Sequence, residues 1–316
     1  MGRIAYVFAG QGDQYPGMGK NIWDRYDIAK DVYKMCDEIR PGTSKQCFEG
    51  TEEELKQTDN TQPCLFAMEL AAAKVLLDKG IKPDVAAGFS LGEVTAAAFA
   101  GIVDERSGFT LVCRRGELMQ RAAEQFDISM MAVVKLSNEQ VESICDRYEN
   151  VYPVNYNCPG QVTVSGLTEQ MVDFSADVRA AGGRAIPLKV KGAFHSPFMK
   201  EAAQSFAGEL RKCPSLNNTG GTQITLYSDV TAQPYTEDIV KLLSKQICSP
   251  VRWEQIIRNM IADGVDTFVE IGPGKTLSNM IKKIDASVNV TDVGSYIEDS
   301  VKQHMKLQGV REIIRC

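Results

Sequence analysis

Short apolar runs alternate with longer stretches of helical periodicity along most of the chain. Strands are predicted at residues 3–8, 85–87, 224–227, 267–271 and 287–293. Helices are predicted at 62–78, 91–101, 105–124, 197–211, 252–262 and 275–283. Strands that alternate with helices in this way pair in parallel and bury both faces. The expected class is therefore α/β with a mainly parallel central sheet.

One block follows another rhythm. Residues 129–135 read as a strand, 139–147 as a helix, 152–156 and 161–165 as strands, 169–181 as a helix and 184–190 as a strand. That β-α-β-β-α-β order is ferredoxin-like and closes into its own small sheet. The block is expected to be a subdomain at 128–194, inserted into a larger domain formed by 1–127 and 195–316. A cleft between the two would have the junction Gly192-Ala193-Phe194-His195 on its wall.

Composition narrows the function classes. A chain of 316 residues with 44% hydrophobic and 24% charged residues has the make-up of a globular protein. A formal net charge of -6 argues against a general nucleic-acid or membrane-surface binder. No apolar run approaches the roughly 18 residues of a membrane span. The stretch 3–8 is too short for a secretory leader, and Tyr6 breaks the myristoylation pattern. Nine dispersed cysteines, from Cys36 to Cys316, contain no Cys-x-x-Cys pair, which fits reduced thiols in a cytoplasm. With two histidines in the whole chain, no histidine-based metal centre is expected.

The candidate chemistry centres on Gly88-Phe89-Ser90-Leu91-Gly92. A Gly/Ser turn of no chemical consequence also fits the bare pentapeptide. Here, however, it joins a predicted strand to a predicted helix. A serine on such a turn is exposed, and the following helix start offers free N–H groups to whatever it attacks.

A serine nucleophile needs a base. His304 lies in a polar C-terminal segment and reads as a solvated helix face, which leaves His195 as the candidate. In Arg114-Arg115, one arginine reads as a solvated end or a partner of Glu117; at a cleft, the second is able to grip a carboxylate through its fork. Three glycine-rich stretches, at Gly10-Gln11-Gly12, Gly17-Met18-Gly19 and Gly274-Lys275-Thr276, each fail a nucleotide-binding spacing and read as turns close to an active site.

Taken together these segments resemble the malonyl-CoA:acyl-carrier-protein transacylases. Phe8-Ala9-Gly10-Gln11-Gly12, Gly88 to Glu93, Arg115 to Gln120, Asn157 to Gln161, Gly192 to Ser196, Gln246 and Glu270 to Lys275 occur in that family's order over nearly the whole chain. The resemblance implies a hydrolase-like α/β domain with a ferredoxin-like insert. It also implies Ser90 as nucleophile, His195 as general base, and backbone N–H groups of Gln11 and Leu91 as the oxyanion hole. Gln246 would orient His195 through its main-chain carbonyl, Arg115 would bind the malonyl carboxylate, and Asn157 would lie near the pocket. Phe194 would narrow the space at the α-carbon. Many members carry His where this chain has Phe89; backbone oxyanion donors survive that change, while a polar contact from a His there does not.

The implied reaction moves malonyl from malonyl-CoA to the phosphopantetheine thiol of acyl carrier protein, supplying fatty-acid synthesis, in a cytoplasmic monomer without cofactor or metal. Arg179, Arg184, Lys189, Lys191 and Lys200 would dock the acidic carrier or merely form a solvated face. Alternatives are a transferase of a polyketide pathway, an acyl-thioester hydrolase, and a non-catalytic carrier-docking module.

Overall fold

Alternate side chains of the first strand are buried in opposite directions, so both faces of its sheet are covered. Tyr6 and Phe8 enter one apolar cluster, Ala5 and Val7 another, as the two-residue period of a strand dictates. The computed structural model describes residues 2–188, 192–217, 224–236 and 238–296. Within them the strands are β1 (Arg3–Phe8), β2 (Val85–Gly88), β3 (Ile128–Val134), β4 (Val151–Cys158), β5 (Gln161–Leu167), β6 (Arg184–Pro187), β7 (Thr225–Tyr227), β8 (Val265–Ile271) and β9 (Asn289–Asp292).

Five of them form a sheet in the order β7-β2-β1-β8-β9, with every pairing parallel. Helices Thr58–Asp78, Leu91–Phe99, Glu105–Ala123 and Lys200–Lys212 contribute to the cluster on the Tyr6 face. Trp253–Ala262 and Thr276–Ile284 cover the other. The α/β class with a mainly parallel central sheet is as expected.

The other four strands form a separate antiparallel sheet in the order β4-β5-β3-β6. Helices Asn138–Cys145 and Thr168–Ala180 share its core through Val141 and Phe174, packed with Val133, Val162 and Val164. β4 of this sheet is tied to the segment just before helix Trp253–Ala262: the Tyr156 amide donates to Val251 O at 2.9 Å, and the Val251 amide donates to Val154 O at 2.9 Å.

Several elements differ from the sequence expectation. The helix expected from residue 62 begins at Thr58 and carries Pro63 inside it. A neighbouring helix secures that start, since Gln120 Oε1 accepts the Thr58 amide at 3.0 Å. The segment expected as one helix at 197–211 is a 3-10 turn, Pro197–Met199, followed by Lys200–Lys212. The last insert strand ends at Pro187; residues 189 and 190 of the expected span lie outside the described residues.

Helices Lys20–Arg25, Asp27–Ile39, Thr43–Glu49, Glu52–Lys56 and Ile239–Gln246 were not expected. Asp27–Ile39 buries Ala29, Val32, Tyr33 and Cys36, a spacing that does carry a helical signal.

Candidate active site

Two glycines set the geometry of the turn after β2. A Cβ on Gly88 would lie 1.9 Å from the backbone carbon of Gly92, and one on Gly92 would lie 2.3 Å from Phe8 O. Only hydrogen fits where strand, turn and helix cross this closely. Between the glycines, Ser90 adopts φ 56 and ψ -106 just ahead of helix Leu91–Phe99. A non-glycine residue in that region is strained by about 1–3 kcal/mol and is held there by its surroundings.

His195 is strained too, with φ 63. Consecutive carbonyls at the end of helix Ile239–Gln246 hold it: its amide donates to Ile247 O at 3.0 Å, and its Nδ1 lies 2.9 Å from Gln246 O. A carbonyl oxygen only accepts, so Nδ1 carries the proton. Nε2 is therefore the acceptor toward Ser90 Oγ, 2.7 Å away. Ser90 and His195, 105 residues apart, thus meet within the reach of one proton transfer.

Burial first, and then the nearby Arg115 cation, lower the imidazole to about 4, against two backbone hydrogen bonds that raise it. His195 is consequently neutral at pH 7 and able to accept a proton.

Arg115 is fully buried in helix Glu105–Ala123. Its Nη1 donates to Gln62 Oε1 at 2.8 Å, while Nη2 donates to Gln246 Oε1 at 2.6 Å and to Ser90 Oγ at 3.3 Å. Desolvation brings it down to about 10, partly offset by Glu93 and Asp229, so it remains a cation at neutral pH. Its Nε has no partner among the described residues. Arg114, by contrast, pairs with Glu117 on the partly exposed side of the helix.

A cleft of about 1190 Å³ opens in front of this group, lined by Gln11, Ser90, Leu91, Asn157, Phe194 and His195 among others. Neither the Gln11 nor the Leu91 amide has a protein acceptor among the described residues, so both are free to meet a developing oxyanion. Asn157 donates to Thr163 Oγ1 at 3.1 Å and leaves Oδ1 unpartnered. Arg115 and Gln246 stand behind the cleft wall and reach it through Ser90 and His195.

Phe89 also lines the cleft and meets Trp253 edge-on, with ring centroids 5.5 Å apart. Cys158 is buried in the core beside the cleft, its Sγ 3.8 Å from Gln161 Oε1.

Of the glycine-rich turns, Gly10-Gln11-Gly12 follows β1 into the cleft, and Gly274-Lys275-Thr276 brings Thr276 to it. Gly17-Met18-Gly19 does not reach it, contrary to expectation. Gly19, at φ 78, instead begins helix Lys20–Arg25. Arg179, Arg184 and Lys200 are exposed; Lys189, Lys191 and His304 lie outside the described residues.

Sequence reasoning missed four participants. Gln62 fixes one arm of Arg115. Asp229 Oδ2 accepts the Ser90 amide at 2.8 Å and Gln246 Nε2 at 3.1 Å. Glu93 Oε1 in turn accepts the Asp229 amide at 3.0 Å and the Tyr235 hydroxyl at 2.5 Å. A signal existed for Asp229: polar residues directly after a predicted parallel strand sit where such sheets build their sites. Nothing local marked Gln62.

Among the described residues no group of three or more His, Cys, Asp or Glu is arranged to hold a metal ion. No helix among them is long and apolar enough to cross a membrane.

Residues 5–313 match the family model described as acyl transferase domain. The chain is 38% identical over 294 residues to a malonyl CoA-acyl carrier protein transacylase of Bacillus subtilis (strain 168), covering 90% of this chain and 91% of that protein. Its fold is similar to the crystal structure of a malonyl CoA-acyl carrier protein transacylase from Clostridium perfringens, with a TM-score of 0.90, 34% identity, and 98% and 99% of the two chains covered. It is also similar to a malonyl-transacylase solved in complex with its type II PKS acyl-carrier protein, with a TM-score of 0.86, 32% identity, and 92% and 94% covered.

Proposed function

The chain belongs to the acyl transferase domain family, among the malonyl CoA-acyl carrier protein transacylases, and from that premise we propose that it transfers malonyl from malonyl-CoA to acyl carrier protein. The observation that carries the reading is a buried cation touching the nucleophile: Arg115 Nη2 lies 3.3 Å from Ser90 Oγ. An acyl group ending in a carboxylate gains from that cation, whereas a neutral acyl chain does not.

In the first half-reaction His195 Nε2 takes the Ser90 proton, and Oγ attacks the thioester carbon. The Gln11 and Leu91 amides meet the oxyanion, each supplying about 3 kcal/mol. The tetrahedral intermediate collapses, and CoA leaves as a thiol with the proton His195 returns. In the second half-reaction His195 takes the proton of the carrier's phosphopantetheine thiol. The sulfur attacks malonyl-Ser90, and Oγ departs, reprotonated by His195. This route uses no metal or cofactor. Phe194 and Asn157 shape the cleft at the acyl group, so malonyl is preferred over methylmalonyl by about 1–3 kcal/mol rather than absolutely.

We take the antiparallel sheet and its helices as a ferredoxin-like subdomain, 128–194, inserted in a hydrolase-like domain, 1–127 and 195–316. Its strand order and element order support that reading. We further take the chain to act as a cytoplasmic monomer in fatty-acid synthesis, docking the carrier against exposed Arg179, Arg184 and Lys200.

Mass measurement of the intact chain after malonyl-CoA, then after carrier protein, tests the reading. The expected result is a malonyl adduct on Ser90 that moves to the carrier. Release of free malonate would favour a hydrolase, and absence of any adduct would favour a docking module.

A further inference from the structure

The nucleophile of the proposed reaction is gripped by its main chain as well as aimed by its side chain. Its amide donates to Asp229 Oδ2 at 2.8 Å, and its carbonyl accepts from Gln246 Nε2 at 2.5 Å. The same Gln246 Nε2 also donates to Asp229 Oδ2 at 3.1 Å, which closes a ring around the strained residue. Ser90 N–H and C=O are therefore both satisfied by side chains, each more than 130 residues distant along the chain (139 and 156).

We propose that Asp229 is a positioning residue for acyl transfer, clamping the Ser90 main chain together with the Gln246 side chain. The inference rests on the acyl-transfer reading of the site. Asp229 itself does not line the cleft and is fully buried. It reaches the substrate only through the residues it holds. The Gln246 side chain that it orients also accepts from Arg115 Nη2 at 2.6 Å, and the Gln246 carbonyl meets His195 Nδ1 at 2.9 Å. One side chain thereby ties together the proposed nucleophile, base and carboxylate-binding cation, and Asp229 anchors it on the far side.

An acceptor is what this position needs. Oδ1 has no partner among the described residues, so only Oδ2 carries the clamp. Burial, then the proximity of Glu93, pushes the Asp229 carboxyl well above the usual carboxylate range. A neutral group with one carbonyl-type oxygen fits the same place. An amide at 229 keeps the acceptor and puts its NH2 where Oδ1 now stands.

The test compares D229N, D229A and D229L with wild type by rapid-quench measurement of malonyl-Ser90 formation and by thermal melting. A displacement near 1 Å at a reacting atom costs about 100-fold in rate. D229A and D229L are expected to slow acylation by about that factor, with KM for malonyl-CoA nearly unchanged because Asp229 touches no substrate. D229N is expected to restore most of the rate. D229L keeps the volume of the site filled, and so carries the loss arm if D229A does not fold.

Wild-type acylation in folded D229A or D229L would overturn the clamp, as would a folded D229N as slow as D229L. A loss appearing wholly in KM would do the same. When one of these variant results is found alongside normal wild-type acylation, this inference fails and the acyl-transfer reading stands. Absence of an adduct on the wild-type chain would overturn the acyl-transfer reading and this inference with it.

Discussion

Arg115 Nη2 donates to Ser90 Oγ at 3.3 Å, so a buried guanidinium stands beside the hydroxyl whose proton faces His195. One cation therefore acts on two things at once. In the proposed reaction it would meet the acyl carboxylate, and it lowers the basicity of the imidazole across the nucleophile. A carboxylate paired with Arg115 offsets that charge, which couples recognition of the acyl group to the strength of the base.

Arg115→Ala tests the recognition half. A charge-assisted hydrogen bond contributes about 1.5–3 kcal/mol, so kcat/KM for malonyl-CoA is expected to fall about 10- to 100-fold. Acetyl-CoA, with no carboxylate, should lose far less, and the ratio of the two measures the clamp. Equal losses for both substrates would remove Arg115 from carboxylate recognition.

The pH dependence tests the electrostatic half. His195 must be neutral to accept the Ser90 proton, and its folded-state pKa is lowered to about 4. The acid limb of kcat/KM, which reports the free enzyme, should therefore fall well below the ordinary histidine value of about 6.5. Single-turnover acylation at saturating malonyl-CoA should show a higher limb, because the bound carboxylate offsets Arg115. In Arg115→Ala the free-enzyme limb should rise, since one of the two causes that lower it is gone. An acid limb unmoved by that substitution would separate the two groups electrostatically.

The crossing of strand and helix predicts an asymmetric response to added methyl groups. Gly92→Ala puts a Cβ 2.3 Å from Phe8 O, whereas a Cβ at Gly208 meets nothing within 4 Å. Overpacking of this kind costs about 1–3 kcal/mol, and the shift it forces moves Ser90. Thermal melting should show Gly92→Ala destabilised and its acylation largely lost. Gly208→Ala, inside helix Lys200–Lys212, should be neutral or stabilised by up to about 1 kcal/mol.

Phe89→His addresses the departure from the family pattern. The ring packs edge-on against Trp253 at 5.5 Å while also facing the cleft. Losing the aromatic pair removes about 0.5–1.5 kcal/mol, so a lower melting temperature is expected. The backbone amides of Gln11 and Leu91 remain, so the acylation rate should stay within about tenfold of wild type. A loss of two orders of magnitude would mean that the ring itself shapes the oxyanion site.

The parallel α/β reading and the elbow were legible because their signals are local. Short apolar runs, and two glycines bracketing a serine, act over a few positions of chain. Helix Thr58–Asp78 was misplaced at its start because Gln120, on another helix, supplies the acceptor for the Thr58 amide. The stretch Gly17-Met18-Gly19 was misjudged for a related reason: a glycine turn reads the same whether it serves a site or simply starts a helix.

By itself the sequence determined which groups were available: one elbow serine, two histidines of which one followed a predicted strand, and an arginine in a helix with an apolar, core-patterned face. It could not determine how they are held. The carbonyl that sets the His195 tautomer, the Gln62 arm on Arg115, and the ring of Asp229 and Gln246 around Ser90 join residues 51 to 156 positions apart. Hydrogen bonds at that separation leave no periodicity to read. They form only when the carboxyl ends of β2 and β7 and the end of helix Ile239–Gln246 are packed together, where burial makes each unsatisfied polar group costly.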